Sequence, residues 1–268
     1  MYLDYWGLQE KPFRNTSDPR FLCLSEQHEE AFSRLKYCVT NHSACALLTG
    51  VFGSGKTLLA QALLDSLPQD QYGTAFIFNP QLSNVELLYE IIYQLGIRDQ
   101  APTSKTEALH RLSDILNDNY AEGRHTVIVV DEAHLIEDRM IFEELRLLLN
   151  FQKRDSFLLT LILVGQPELR EKITHLKPFD QRIAIRFHLK GLKEDETRTY
   201  ILHRLQVAGA TRDVFDEEAI QAVHESTGGI PRRINQICDL ALLTGYGMRS
   251  SMITAAIVRE VVMDPQTL

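Results

Sequence analysis

Cysteine is scarce in this chain, and the four present (Cys23, Cys38, Cys45 and Cys238) are scattered. No pair has the C-x-x-C spacing of a zinc or redox motif, and no disulfide framework is legible. Buried, reduced thiols are the expectation. No apolar run reaches the roughly 18–20 residues that a membrane-spanning helix needs. The first residues, MYLDYWGLQEKPF, carry an early Asp4 and lack the basic-then-apolar order of a secretion signal. A cytoplasmic protein without a membrane span is therefore expected. An excess of positive charge is also missing. The formal net charge is −8: residues 1–190 hold 20 Lys+Arg against 25 Asp+Glu (−5), and residues 191–268 hold 8 against 11 (−3). On bulk charge neither part is a basic nucleic-acid binder. One stretch departs from this. Arg170–Lys190 has six Lys/Arg against Glu171 and Asp180, which reads either as a solvated face or as a DNA contact.

What is present is organised around Ala44–Thr57, ACALLTGVFGSGKT. Ala44–Thr49 is long enough for one buried strand. Gly50-Val51-Phe52-Gly53-Ser54-Gly55-Lys56-Thr57 then fits G-x-x-x-x-G-K-[ST]. A loop that wraps a phosphate must turn successive backbone N–H groups inward, and glycine tolerates the φ angles this needs. Lys56 places a point charge against the β- and γ-phosphates, and the Thr57 hydroxyl ligates Mg²⁺. Leu58 opens a helical run whose N-terminal end favours an anion. ATP and Mg²⁺ are thus the expected ligands, cradled by residues 50–58.

Residues 1–24 form an irregular lead-in with Tyr2, Tyr5, Trp6, Phe13 and Phe21 among turn residues. Rings this dense must pack on something, as a hydrophobic lid over a domain edge or beside the adenine or ribose of a nucleotide. Helix Glu26–Val39 follows, capped by Ser25. Gly73–Phe78 reads as a second strand. Ser83–Glu86 and Ser104–Glu107 read as capping boxes, the second opening a helix to about Ala121. His125–Val130 is a third strand, and Asp131-Glu132-Ala133-His134 ends it. An apolar strand followed by two carboxylates is the Walker B arrangement: Asp131 holds the metal and Glu132 polarises water. The same four letters spell a helicase motif, but only one P-loop body fits in 268 residues. Phe142–Phe151 reads as a helix and Phe157–Val164 as a fourth strand, buried on both faces. At its tip, Gln166 either reaches the γ-phosphate or caps the next helix, Glu168–Ile173. Ile183–Leu189 is a fifth strand, preceded by Arg182 and containing Arg186. From Leu192 the texture is helical: Lys193–Val207, Glu217–Glu225, Pro231–Leu243 and about Thr254–Val262. Arg232 and Arg233 stand near a helix N-terminus, where a cation calls for a nearby anion: a phosphate or a salt-bridge partner.

These parts resemble an AAA+ ATPase: a P-loop, Asp131-Glu132, a polar residue after the fourth strand, an arginine before the fifth, and a helical region with G-x-x-R. Tyr5-Trp6-Gly7-Leu8, Pro12-Phe13, Asp18-Pro19-Arg20-Phe21, Ser25-x-x-His28, Val164–Leu169 and Gly229-Ile230-Pro231-Arg232 narrow the likeness to the general secretion pathway protein A (ExeA-type) family. Ser17 stands where that family usually has proline, and the residue at the Gln166 position in AAA+ proteins at large is more often Asn or Thr. The resemblance implies an α/β fold with a five-stranded parallel sheet flanked by helices and a small all-helical lid. It implies three segments: lead-in 1–24, nucleotide-binding body 25–190 and lid 191–268. It implies ATP held between body and lid, Gln166 as sensor 1, Arg232 as sensor 2, and Arg182 (with Arg186 as the alternative) as a finger entering a neighbour's site. It further implies a homo-oligomer, ring or filament, working with a secretion or pilus partner. Similar proteins accompany transposons, so a DNA-bound regulator acting with a transposase is the alternative.

Overall fold

Seven strands and a set of helices make up the α/β part of a computed structural model, which describes residues 2–15, 19–21, 23–98, 101–153 and 156–264. Ser17, Asp18 and part of the Gly96–Thr103 connection lie outside the described residues. The strands are β1 (Cys45–Gly50), β2 (Tyr72–Ile77), β3 (His125–Val130), β4 (Gln152–Lys153), β5 (Ser156–Phe157), β6 (Leu159–Gly165) and β7 (Ile183–Leu189). Five of them form one sheet in the order β2-β3-β6-β1-β7, every neighbouring pair parallel. The three central strands are buried at every position, which is why they are almost wholly apolar. At the edge, β7 alternates buried Ile183 with exposed Ala184 and Arg186, as its mixed sequence anticipates.

Most expected boundaries shift by a few residues, and Tyr2–Trp6 of the lead-in is a helix rather than irregular; two shifts have a clear local cause. The fourth long strand starts at Leu159, not Phe157, because Ser156–Phe157 turns back to pair antiparallel with Gln152–Lys153. Apolarity alone does not say which partner a strand takes. The helix expected at Phe142–Phe151 runs instead from Arg139 to Leu148. Asp138 caps it, its carboxylate accepting the Met140 N–H at 2.8 Å. The Ser83–Glu86 capping box is complete. At Ser104 only one leg forms: Ser104 Oγ accepts the Glu107 N–H, while the Glu107 carboxylate reaches Thr103 N and Oγ, both at 2.7 Å.

The chain divides into two units: His28–Phe52 with Lys56–Leu189, and Met1–Gln27 with Gly53–Gly55 and Lys190–Leu268. The second unit is built on helices Glu194–Val207, Glu217–Thr227, Pro231–Gly247 and Ala255–Met263. Lead-in residues Tyr2, Trp6, Leu8, Phe13 and Phe21 belong to its apolar core. Trp6 is fully buried and donates to Leu242 O at 2.9 Å. Arg204 is the polar anchor. The residue is 4% exposed, and its guanidinium donates to Pro12 O (2.6 Å), Arg14 O (2.7 Å) and the Tyr200 hydroxyl (2.7 Å). Buried carbonyls need donors, and here one arginine supplies several at once. Gly229 is obligatory for the same close packing: a Cβ there would meet Leu192 O at 2.0 Å, and its φ is +70°.

Both interiors can be probed by unfolding. Arg204→Met removes the donors of two lead-in carbonyls and should cost about 2–4 kcal/mol in a urea unfolding curve. His125 is buried, stacked on His42 with ring centroids 4.0 Å apart, and 2.8 Å from Thr160 Oγ1. Burial, and secondarily His42, pushes its pKa down to about 3. The unfolded chain, titrating near pH 6.5, binds a proton that the native state refuses, so stability is full above that pH and falls as pH drops towards 3. Between pH 7 and pH 5 the native protein should lose about 2 kcal/mol more than a His125→Gln variant, read from urea midpoints at the two pH values.

Candidate functional site

The loop after β1 carries two left-handed glycines, Gly53 (φ +81°) and Gly55 (φ +94°), before helix Lys56–Asp65 begins. Gly53 and Gly55 group with the helical unit, and within that unit the Arg232 N–H lies 3.3 Å from Gly53 O. A Cβ on Gly53 would stand 2.6 Å from Arg232 Cβ, so the approach requires glycine. Ser54 is buried, Val51 and Leu58 are half-buried, and Phe52 is exposed.

Lys56 is 6% exposed, and its ammonium donates to Gly50 O at 2.9 Å and Val51 O at 3.0 Å. An ammonium has three donors, and the third has no acceptor among the described residues. Burial holds the Lys56 pKa below the ordinary lysine value, against the raising influence of Glu132, Asp131 and Glu168. Thr57 Oγ donates to Asp131 Oδ2 at 2.7 Å. The other Asp131 oxygen accepts the Glu132 N–H at 2.8 Å. The loop after β1 and the carboxylates after β3 are therefore brought together, as the spacing predicts.

Glu132 adopts the left-handed conformation (φ +48°, ψ 32°), a strained geometry for a residue with a side chain. Its Oε2 is buried without a hydrogen-bond partner. His134 Nδ1 lies 3.3 Å from that oxygen but is not aligned for a hydrogen bond. His134 Nε2 is 2.9 Å from Gln166 Nε2. Gln166 precedes helix Pro167–His175, yet its side chain makes no capping bond; of the two readings of this residue, the cap is overturned. His134 received no role from the sequence, although it stands two residues beyond Glu132.

The arginines lie apart from this group. Arg182, half-buried, donates to Asn150 Oδ1 at 3.2 Å, and Arg186 is paired with Asp180 at 2.6 Å. Among the described residues neither contacts Lys56, Asp131 or Glu132. In the basic stretch, Lys172 is also engaged, donating to His134 O (2.5 Å) and Ile136 O (2.9 Å). A cavity of about 240 Å³ lined by Cys23, Leu24, Ser25, Leu192, Lys193 and Tyr200 belongs to the helical unit and contains none of the expected site residues.

The residues fit a magnesium nucleotide. Hard oxygens of Thr57 and Asp131 sit side by side, next to a buried ammonium and the N-terminus of a ten-residue helix. No group of three His, Cys, Asp or Glu suited to a metal occurs among the described residues. Magnesium in phosphate sites takes only one or two protein ligands beside waters and phosphate oxygens. No helix among the described residues is long and apolar enough to cross a membrane.

Comparison with known proteins bears on the family and the fold. The chain is 38% identical to general secretion pathway protein A of Aeromonas hydrophila over 94% of its own length, and it spans 46% of that protein. Among solved structures, the Aeropyrum pernix ORC2 protein in ADPNP–ADP complexes superposes with a TM-score of 0.69 at 19% identity, covering 96% of this chain and 72% of that one. Drosophila ORC bound to DNA gives 0.74 at 17% identity, covering all of this chain and 66% of that one. These two likenesses show an AAA+ P-loop fold. A family model described as the AAA domain matches residues 39–173, half of the 268-residue chain, and the chain belongs to that family.

Proposed function

We propose that the protein binds and hydrolyses ATP with Mg²⁺ and couples turnover, as an oligomer, to the assembly or remodelling of a secretion-type machinery. The observation that carries the chemistry is the meeting of Thr57, Asp131 and the unpartnered Glu132 oxygen at the tips of β1 and β3. Lys56 and the loop amides bind the triphosphate. Thr57 and Asp131 would hold the magnesium, which supplies charge neutralisation on the β- and γ-phosphates when bound. Glu132 accepts a proton from the attacking water. Gln166 orients that water from the tip of β6. Arg182, half-buried beside Asn150, acts on a neighbouring copy's site. The secretion setting rests on the likeness to general secretion pathway protein A. The DNA alternative is weaker, because Lys172 and Arg186 of the basic stretch are already engaged within the protein.

Lys56→Ala should weaken nucleotide binding at least about tenfold, the worth of one charge-assisted contact, in a fluorescent-ATP titration. Glu132→Gln should retain ATP while lowering phosphate release about 10²–10⁴-fold, the range for losing a general base. Unchanged turnover in that variant would remove Glu132 from its role. If Arg182 acts in trans, specific activity should climb with protein concentration and Arg182→Ala should lose about 10³-fold or more; a dilution series with constant specific activity would count against the neighbour's arginine.

A further inference from the structure

Glu132 and His134 each hold a buried side-chain atom that makes no hydrogen bond, Oε2 and Nδ1, and these two atoms face each other at 3.3 Å. Buried polar atoms are ordinarily satisfied. A pair of unsatisfied ones this close, beside the carboxylate read as the general base, calls for an explanation.

The local backbone is built to hold them there. Glu132 is left-handed, and the 3₁₀ turn Ala133–Leu135 follows at once. Lys172 clamps that turn by donating to His134 O and Ile136 O. At the tip of β6, Gly165 leaves room for it: a Cβ there would stand 3.2 Å from His134 N and 2.8 Å from Leu169 Cδ2. The imidazole is only 10% exposed.

The hydrogen-bond inventory then fixes the proton. A neutral imidazole has one donor nitrogen and one acceptor. The Gln166 amide nitrogen, 2.9 Å from His134 Nε2, is a donor, so Nε2 accepts. The proton is left on Nδ1, 3.3 Å from Glu132 Oε2 and misaligned, as contacts between catalytic groups often are before substrate binds. The flipped amide would place the proton on Nε2 and leave the Nδ1 lone pair against a carboxylate oxygen, which is repulsive. Amide orientation is set by such networks, and for a neutral ring only the first orientation satisfies this one. The 3.3 Å separation is looser than a charge-assisted hydrogen bond.

We infer that His134 is a positioning residue: it donates from Nδ1 to orient the Glu132 carboxylate, and Gln166 buttresses it from the other side of the ring. The inference rests on the reading of Glu132 as the general base. Gln166 thereby has two ways to act on the attacking water, directly and through His134, so that a change at the tip of β6 reaches the base after β3.

The test has a kinetic and a spectroscopic part, both on the full chain. His134→Leu keeps the volume and removes the donor; it should lower kcat about tenfold or more, the worth of one hydrogen bond to a charged group, with KM for ATP changed less than twofold. His134→Asn restores a donor near the Nδ1 position and should recover most of that loss. In a double-mutant cycle, Gln166→Leu should cost less in the His134→Leu background than alone. Long-range ¹H–¹⁵N spectra of histidine-labelled protein, with His134 assigned by its absence in His134→Asn, should show the proton on Nδ1. Unchanged kcat in His134→Leu where Glu132→Gln abolishes turnover, strictly multiplicative effects in the cycle, or a proton on Nε2 would each overturn the inference. If the wild-type chain fails to hydrolyse ATP, the proposed activity falls, and the tautomer alone then decides the Gln166–His134–Glu132 link.

Discussion

A hydroxyl and a carboxylate 2.7 Å apart set the terms for the rest of the α/β unit. Thr57 follows β1 and Asp131 follows β3, and these strands are not neighbours: β6 lies between them. Their meeting therefore depends on two parallel registers, Thr49 opposite Gly165 and Val130 opposite Leu163. A slip of one residue in either would turn every side chain of a strand to the other face. Buried polar contacts pin the register: His125 Nε2 lies 2.8 Å from Thr160 Oγ1, and Thr160 Oγ1 lies 2.7 Å from Ser43 O, just before β1. The sheet is in this sense a ruler, and the two oxygens are the marks it brings into line.

A second constraint acts on the carboxylate next door. Glu132 is held left-handed at a position where a non-glycine residue is costly by about 1–3 kcal/mol. That cost is met by the surrounding clamp: Asp131 accepting its N–H, Lys172 on the following turn, and Gly165 making space at the adjacent strand tip. Strain supported from three directions is a common property of groups that must stay aimed rather than relax.

Much of this was legible in the amino-acid order, and the reasons differ from place to place. The P-loop and the Asp131-Glu132 pair were readable because their chemistry demands particular residue types at fixed spacing. The five sheet strands were readable because apolar runs bounded by turns have few other uses. Register of pairing was not, so the hairpin of Gln152–Lys153 with Ser156–Phe157 went unseen and the start of β6 was placed two residues early. The cap at Asp138 was missed because an acidic residue before a helix competes with many equally good starts. His134 escaped for another reason: its role depends on which atoms face its two ring nitrogens, and periodicity says nothing about that. The rings of the lead-in were visible as needing a partner, but that the partner is a core assembled from helices far along the chain required the fold.

That last feature bears on how the protein is made. Trp6 rests against a residue 236 positions further along, so at roughly 5–20 residues per second of synthesis its packing site is absent for roughly 10–50 s after it leaves the ribosome. During that interval Trp6, Phe13 and Phe21 have no core to enter, and the nascent chain carries a cluster of uncovered rings. Chains that stall before the core helices are made retain that cluster, which leaves interrupted synthesis open to aggregation and to capture by chaperones.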